Sequence, residues 1–163
     1  MKAKNTQHAP VRNRAVQWLL GALFIIMAFT GFGQMPIFKR YYVSDIPGMG
    51  WSADFYLTHF IHYLGAILLF ALFAFVIIDY LFSERKRYQL TSSAYVRLAL
   101  LAGIVCTGIF RVLKNLPDWV FSPSFTLFID IAHLGFMMLY LLSAAVFALL
   151  KAEWIRPAPK QPA

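Results

Sequence analysis

The sequence predicts an all-α membrane protein, a four-transmembrane-helix bundle, from three observations. Of 163 residues, 60% are hydrophobic and 13% charged, where soluble domains carry about 25% charged residues. The apolar residues fall into four blocks, 15–33, 55–82, 93–113 and 125–150, each near or above the roughly 20 residues that cross a bilayer as a helix. Polar residues do not recur in those blocks every three or four positions, as the outer stripe of a soluble bundle requires. Residues 1–163 read as one integral-membrane domain without internal repeats or low-complexity tracts.

The N-terminal segment through Pro10, with His8, reads as a solvated end. The first block reads as a retained helix, because it is bulky to its end and is followed by Gln34-Met35-Pro36 rather than a small-residue cleavage pattern. The next connector is the longest. It carries Tyr41, Tyr42 and Trp51, with Tyr56 just beyond, and turn signals at Pro47-Gly48 and Gly50. Such aromatics suit the membrane surface. With the short 114–124 loop and its Trp119, they offer either an interfacial belt or a docking face for an extracytoplasmic partner. Near the inner end of the second block, Asp79 is expected to pair with Arg97 or to snorkel outward. The single cysteine, Cys106, lies mid-block in the third segment and is expected to be buried packing. One cysteine makes no internal disulfide, and without C-x-x-C-H a covalent c-type haem is excluded. The tail 156–163, with Pro157, Pro159 and Pro162, reads as an exposed end.

The formal charge of +8 is distributed as a topology signal. Lys2, Lys4, Arg12 and Arg14 precede the first block, Arg85, Lys86, Arg87 and Arg97 lie around the second connector, and Lys151, Arg156 and Lys160 follow the last block. The other two connectors hold Lys39, Arg40, Arg111 and Lys114. By the positive-inside rule both termini and the 83–92 loop are cytoplasmic, and the 34–54 and 114–124 loops face outward. The same charges make lipid contacts; nucleic acid as a partner has no support.

Three histidines lie in the apolar blocks: His59 and His62 in the second and His133 in the fourth. An ionisable side chain at membrane depth is expensive and points to function. Two imidazoles on different helices at one depth suit a b-type haem, whose iron takes one nitrogen from each side. Counted from Asp54 and Ser124, His62 and His133 lie roughly 12–14 Å below the outer helix ends. His59, about 4–5 Å shallower on nearly the same face, is the alternative ligand, or a neighbour of a haem propionate or quinone. Interhelical hydrogen bonding without metal is the competing account, and zinc lacks a completing carboxylate or thiol. Gly65 and Gly135, and Gly103 and Gly108 in the third block, leave room for a flat macrocycle or serve ordinary helix packing. Asp130, one turn from His133, is expected either to pair with Arg111 or Lys114 or, like Asp54, to exchange protons with a quinone. Arg111 and Lys114 are the expected partners of anionic propionates.

With these histidines in place, the chain resembles the four-helix cytochrome b subunits of membrane-bound formate dehydrogenases and nickel–iron hydrogenases, over roughly residues 11–150. The resemblance implies a multi-pass protein of the bacterial cytoplasmic membrane, electron transfer between an extracytoplasmic iron–sulfur or cytochrome subunit and the quinone pool, and haem b as cofactor. In that family the first helix opens with R-x-x-H-W, whose histidine binds an inner haem. Here Arg14-Ala15-Val16-Gln17-Trp18 puts glutamine in its place. The partner ligand is a second histidine in the fourth helix, and its position falls on Phe147. Both inner ligands are missing together, so the expectation is one haem b, on the outer side. A non-redox anchor or assembly subunit of such a complex is the alternative. A proton-relaying channel ranks last, since the inner halves of the blocks hold little polar besides Asp79 and Gln17.

Overall fold

The computed structural model describes residues 14–35 and 37–159. Lys2, Lys4, His8, Arg12 and Lys160 lie outside them. Four long helices dominate: α1 (Arg14–Gly33), α3 (Phe55–Asp79), α4 (Ser92–Leu113) and α5 (Pro123–Leu149), with a one-turn α2 (Ile37–Arg40) after α1. All four long helices suffice in length and composition to cross a membrane, α3 through a terminal π turn at Tyr80–Glu84. The chain is a multi-pass membrane protein on that basis. Their ends fall within about two residues of the apolar blocks. Helix is the form hydrocarbon allows, because every backbone N–H and C=O must be satisfied within the segment. Polar caps start α3, α4 and α5: Asp54 Oδ1 accepts from Leu57 N at 3.1 Å, Thr91 Oγ1 from Ala94 N at 3.2 Å, and Ser122 Oγ from Phe125 N at 3.3 Å, ahead of Pro123. Each such cap is worth about 1 kcal/mol.

The chain divides into two compact units, Met1–Glu84 and Arg85–Ala163. The described part of each is a helical hairpin, α1 against α3 in the first and α4 against α5 in the second. Large apolar side chains on these helices point away from the hairpin seams: Ile25 is 72% exposed and Phe60 60%. Such stripes would be a liability in water, whereas lipid solvates them.

In the first hairpin the Phe24 and Phe73 rings meet at 5.9 Å. A Cβ on Gly65 would lie 2.7 Å from Met27 Sδ, so this glycine is where Met27 fits. The connector from α1 to α3 is built on the 3-10 turns Val43–Asp45 and Gly50–Ala53. It folds back on α1, where Phe29 stacks with Phe38 at 4.6 Å and Trp51 at 5.6 Å. Trp51 is therefore partly structural, while Tyr41, Tyr42 and Tyr56 remain exposed.

In the second hairpin a Cβ on Gly103 would come within 2.8 Å of the Phe136 ring, which uses the glycine as its seat. The end where α4 begins and α5 stops is closed by a ribbon of β1 (Tyr88–Leu90) and β2 (Ile155–Pro157), antiparallel with Gln89 opposite Arg156. Arg156 and Pro157 are exposed as expected, yet the strand is paired, and Ala158 N adds a bond to Arg87 O at 2.8 Å. Thr91 and Ser93 hydroxyls donate to Glu153 O at 2.6 and 3.0 Å. Arg97, 5% exposed, donates to Ala152 O at 3.0 Å, and its guanidinium lies 4.7 Å from the Phe147 and Trp154 ring centres. Asp79, expected to pair with Arg97 or to snorkel, is exposed on α3. Cys106 is exposed rather than buried, since the inner face of α4 there is taken by Thr107 and Gly103.

Candidate functional site

Each hairpin holds one histidine in the same way. On α1, Thr30 follows the apolar run Ile25-Ile26-Met27-Ala28-Phe29, and a lone hydroxyl there turns back on its own helix. Thr30 Oγ1 donates to Ile26 O at 2.7 Å. With its proton spent, the oxygen accepts from His62 Nδ1 on α3 at 3.0 Å. The next residue is Gly31, where a Cβ would lie 3.3 Å from His62 Cε1 and 3.8 Å from Nδ1. On α4, Thr107 Oγ1 donates to Gly103 O at 2.7 Å and accepts from His133 Nδ1 on α5 at 3.0 Å. Gly108 follows, and a Cβ there would lie 3.4 Å from His133 Cε1 and 3.8 Å from Nδ1. Two helix pairs unlike in sequence therefore share one device: Thr-Gly on the first helix, histidine on the second.

The bonds dictate the tautomer. His133 Nδ1 also meets Ile104 O at 3.1 Å, and a carbonyl only accepts, so Nδ1 carries the hydrogen. The Thr30 hydroxyl, committed to Ile26 O, imposes the same on His62. In a neutral ring so held, Nε2 keeps its lone pair. Both rings are half-buried, and both threonines are buried, Thr30 at 1% exposure and Thr107 at 8%.

His59 stands differently. Its Nδ1 meets Gln34 Oε1 at 3.2 Å, and its ring stacks on Phe55 with centres 5.6 Å apart and planes 15° from parallel. Gln34 in turn reaches Thr30 O through Nε2 at 3.5 Å. No Thr-Gly pair serves it. His62 follows the first residue of α3 by seven positions and His133 that of α5 by ten, about 10 and 15 Å of rise. His59 follows by four, about 6 Å. His62 is the closer counterpart of His133 by depth as by bonding, although the two depths agree less well than the sequence count predicts.

Around His133 a charged cluster forms one turn toward the start of α5. Lys114 Nζ donates to both Asp130 oxygens at 2.7 Å, and Arg111 Nε lies 3.4 Å from Oδ1. Two cations and one carboxylate leave one net positive charge. Asp54, far from this cluster in the chain, caps α3. Of the glycines expected near a macrocycle, Gly65 seats Met27, Gly103 seats Phe136, and Gly135 has no atom within 4 Å of its would-be Cβ. Gly108 abuts a histidine, and Gly31, which sequence reading passes over, does the same. The signal was present as the repeated dipeptides Thr30-Gly31 and Thr107-Gly108 in otherwise apolar helices.

No cluster of three or more His, Cys, Asp or Glu residues able to hold a metal ion occurs among the described residues. A b-type haem asks for imidazoles whose Nδ1 is tied back by a hydrogen bond. Each hairpin supplies an imidazole with Nδ1 tied back, and a glycine cradle that a Cβ would fill. No family model matches the chain, and neither curated proteins nor solved structures yield a match.

Proposed function

We propose that the protein is a b-type cytochrome of the bacterial cytoplasmic membrane, the membrane subunit of a respiratory oxidoreductase complex. One haem b on the outer side would be held by His62 and His133. The observation that carries this reading is the duplicated Thr-Gly/His arrangement, which sets two imidazoles in the Nε2-ligating tautomer well inside membrane-length helices. The bound haem supplies one-electron redox chemistry at its iron, and the chain's residues hold it and tune it. His59, stacked on Phe55 and tied to Gln34, is left as a neighbour of the site. The net positive charge of Arg111, Lys114 and Asp130, one turn from His133, suits the anionic propionates.

The single haem is supported from the other end. Phe147, at the family's inner-ligand position, lies under the Arg97 guanidinium, and Gln17 is exposed on α1. Exposed Arg85, Lys86 and Arg87 favour a cytoplasmic face for their loop. The termini are then cytoplasmic as well, and the 34–54 and 114–124 loops meet an extracytoplasmic iron–sulfur or cytochrome subunit. Quinone is the second electron partner. Without an inner haem there is no relay across the roughly 30 Å core, so quinone exchange belongs near the outer face.

The test is the spectrum of purified protein reduced with dithionite. The expected result is the α-band of a bis-histidine b haem and one haem per chain by pyridine haemochrome. Absence of haem leaves the non-redox anchor as the reading, and two haems overturn the count.

A further inference from the structure

We propose that Thr30-Gly31 and Thr107-Gly108 form a duplicated histidine-positioning device, in which the threonine holds and tunes the imidazole and the glycine admits its edge. The inference rests on the haem reading above. A threonine inside a helix commonly bonds back to the carbonyl four residues earlier, and needs no further role to do so. Thr58 shows what that ordinary role looks like. Its Oγ1 donates to Asp54 O at 2.9 Å, it is fully buried, and it turns its methyl group to Gly33, where a Cβ would lie 3.1 Å away. Thr30 and Thr107 differ in one respect, and differ together. Each turns its oxygen to a histidine 3.0 Å away on the facing helix, and the next residue is a glycine against the same ring's Cε1. The two sets of distances agree within 0.1 Å, though the partners are 32 residues apart in one hairpin and 26 in the other.

The arrangement has an electronic consequence. An imidazole that donates Nδ1–H to an oxygen acceptor is a more basic ligand through Nε2. A more basic axial ligand favours ferric over ferrous iron and lowers the midpoint potential. Removing the acceptor therefore raises it. The glycine acts through geometry: the Cβ of an alanine would press Cε1 and turn the ring plane, which low-spin ferric EPR reads as a shift in g-values.

The experiment is a redox titration of the purified holoprotein followed at the α-band, with EPR of the oxidised form. It compares wild type, Thr30→Val, Thr107→Val, their serine counterparts, Gly31→Ala and the control Thr58→Val. Both valine variants at 30 and 107 are expected to titrate at higher potential than wild type, Thr30→Val by the larger step, because Ile104 O still accepts from His133 Nδ1 in Thr107→Val. Serine restores the wild-type value, Gly31→Ala shifts the g-values, and Thr58→Val changes neither reading. Loss of haem in a valine variant with recovery in the serine variant supports the device equally, since the hydroxyl alone separates them. Wild-type potentials and g-values in both valine variants overturn the device and leave the cytochrome reading standing. Wild type without haem overturns that reading, and the device falls with it.

Discussion

The two hairpins agree at their middles and differ at their ends. Within each seam the threonine–histidine and glycine–histidine distances agree to 0.1 Å, while His133 alone adds a contact to a facing carbonyl, Ile104 O. At the connector end the first hairpin has a long connector folded onto Phe29 and a second histidine, whereas the second has a short loop and the Asp130 ion pairs. At its other end the second is closed by a two-stranded ribbon and the buried Arg97. Agreement where the sequences differ, at buried polar groups in an apolar solvent, marks what function constrains. Each unsatisfied polar group in hydrocarbon costs several kcal/mol, so hydroxyls and imidazoles recur there only in complete pairings. The ends, which meet water and partners, are free to diverge.

The comparison is broken most severely at the imidazoles. His62→Ala and His133→Ala are each expected to abolish haem binding, measured as haem per chain, while His59→Ala retains it. Retention in His62→Ala together with loss in His59→Ala would move the equivalence to the other α3 histidine. The packing that seats the second histidine's neighbours comes next. Gly103→Ala puts a methyl group 2.8 Å from the Phe136 ring and is expected to destabilise the second hairpin by about 1–3 kcal/mol, measured by unfolding in detergent. The Gly65 equivalent is milder, because the flexible Met27 side chain can withdraw. Arg97→Met removes the bond to Ala152 O and both ring contacts. It is expected to cost about 1–3 kcal/mol, seen as faster hydrogen exchange in residues 88–90 and 155–157 with the first hairpin unchanged. Equal loss of protection in both hairpins would show that the ends are not independent. The smallest effect is expected at the Asp130 ion pairs, whose side chains are 20–39% exposed. Asp130→Asn should change stability by about 0–1 kcal/mol, less in high salt.

The helices were legible in the sequence because a bilayer sets their length: 15–33 and 93–113 match α1 and α4 within one residue at each end. The histidines stood out for their cost in lipid. The pairing of Thr30 with His62 and of Thr107 with His133 was not legible, because threonine is common in membrane helices and its partner lies across a hairpin whose register no single helix encodes. Cys106 was misjudged for a similar reason. In a helix apolar on all sides, hydrophobicity does not tell the seam from the lipid face, and the glycines mark the seam better. The ribbon at 88–90 and 155–157 is too short for alternation to register, and its prolines read as a free end.

Arg97 also changes how the basic residues of this chain should be counted. Arg85, Lys86 and Arg87 present their charge to the surroundings, whereas Arg97 is shut between two aromatic faces and a backbone carbonyl. Its charge is matched by the protein and withheld from phosphate headgroups. In the folded chain it serves as a rivet, and any anchoring of the 83–92 loop to an anionic lipid surface falls to its exposed neighbours.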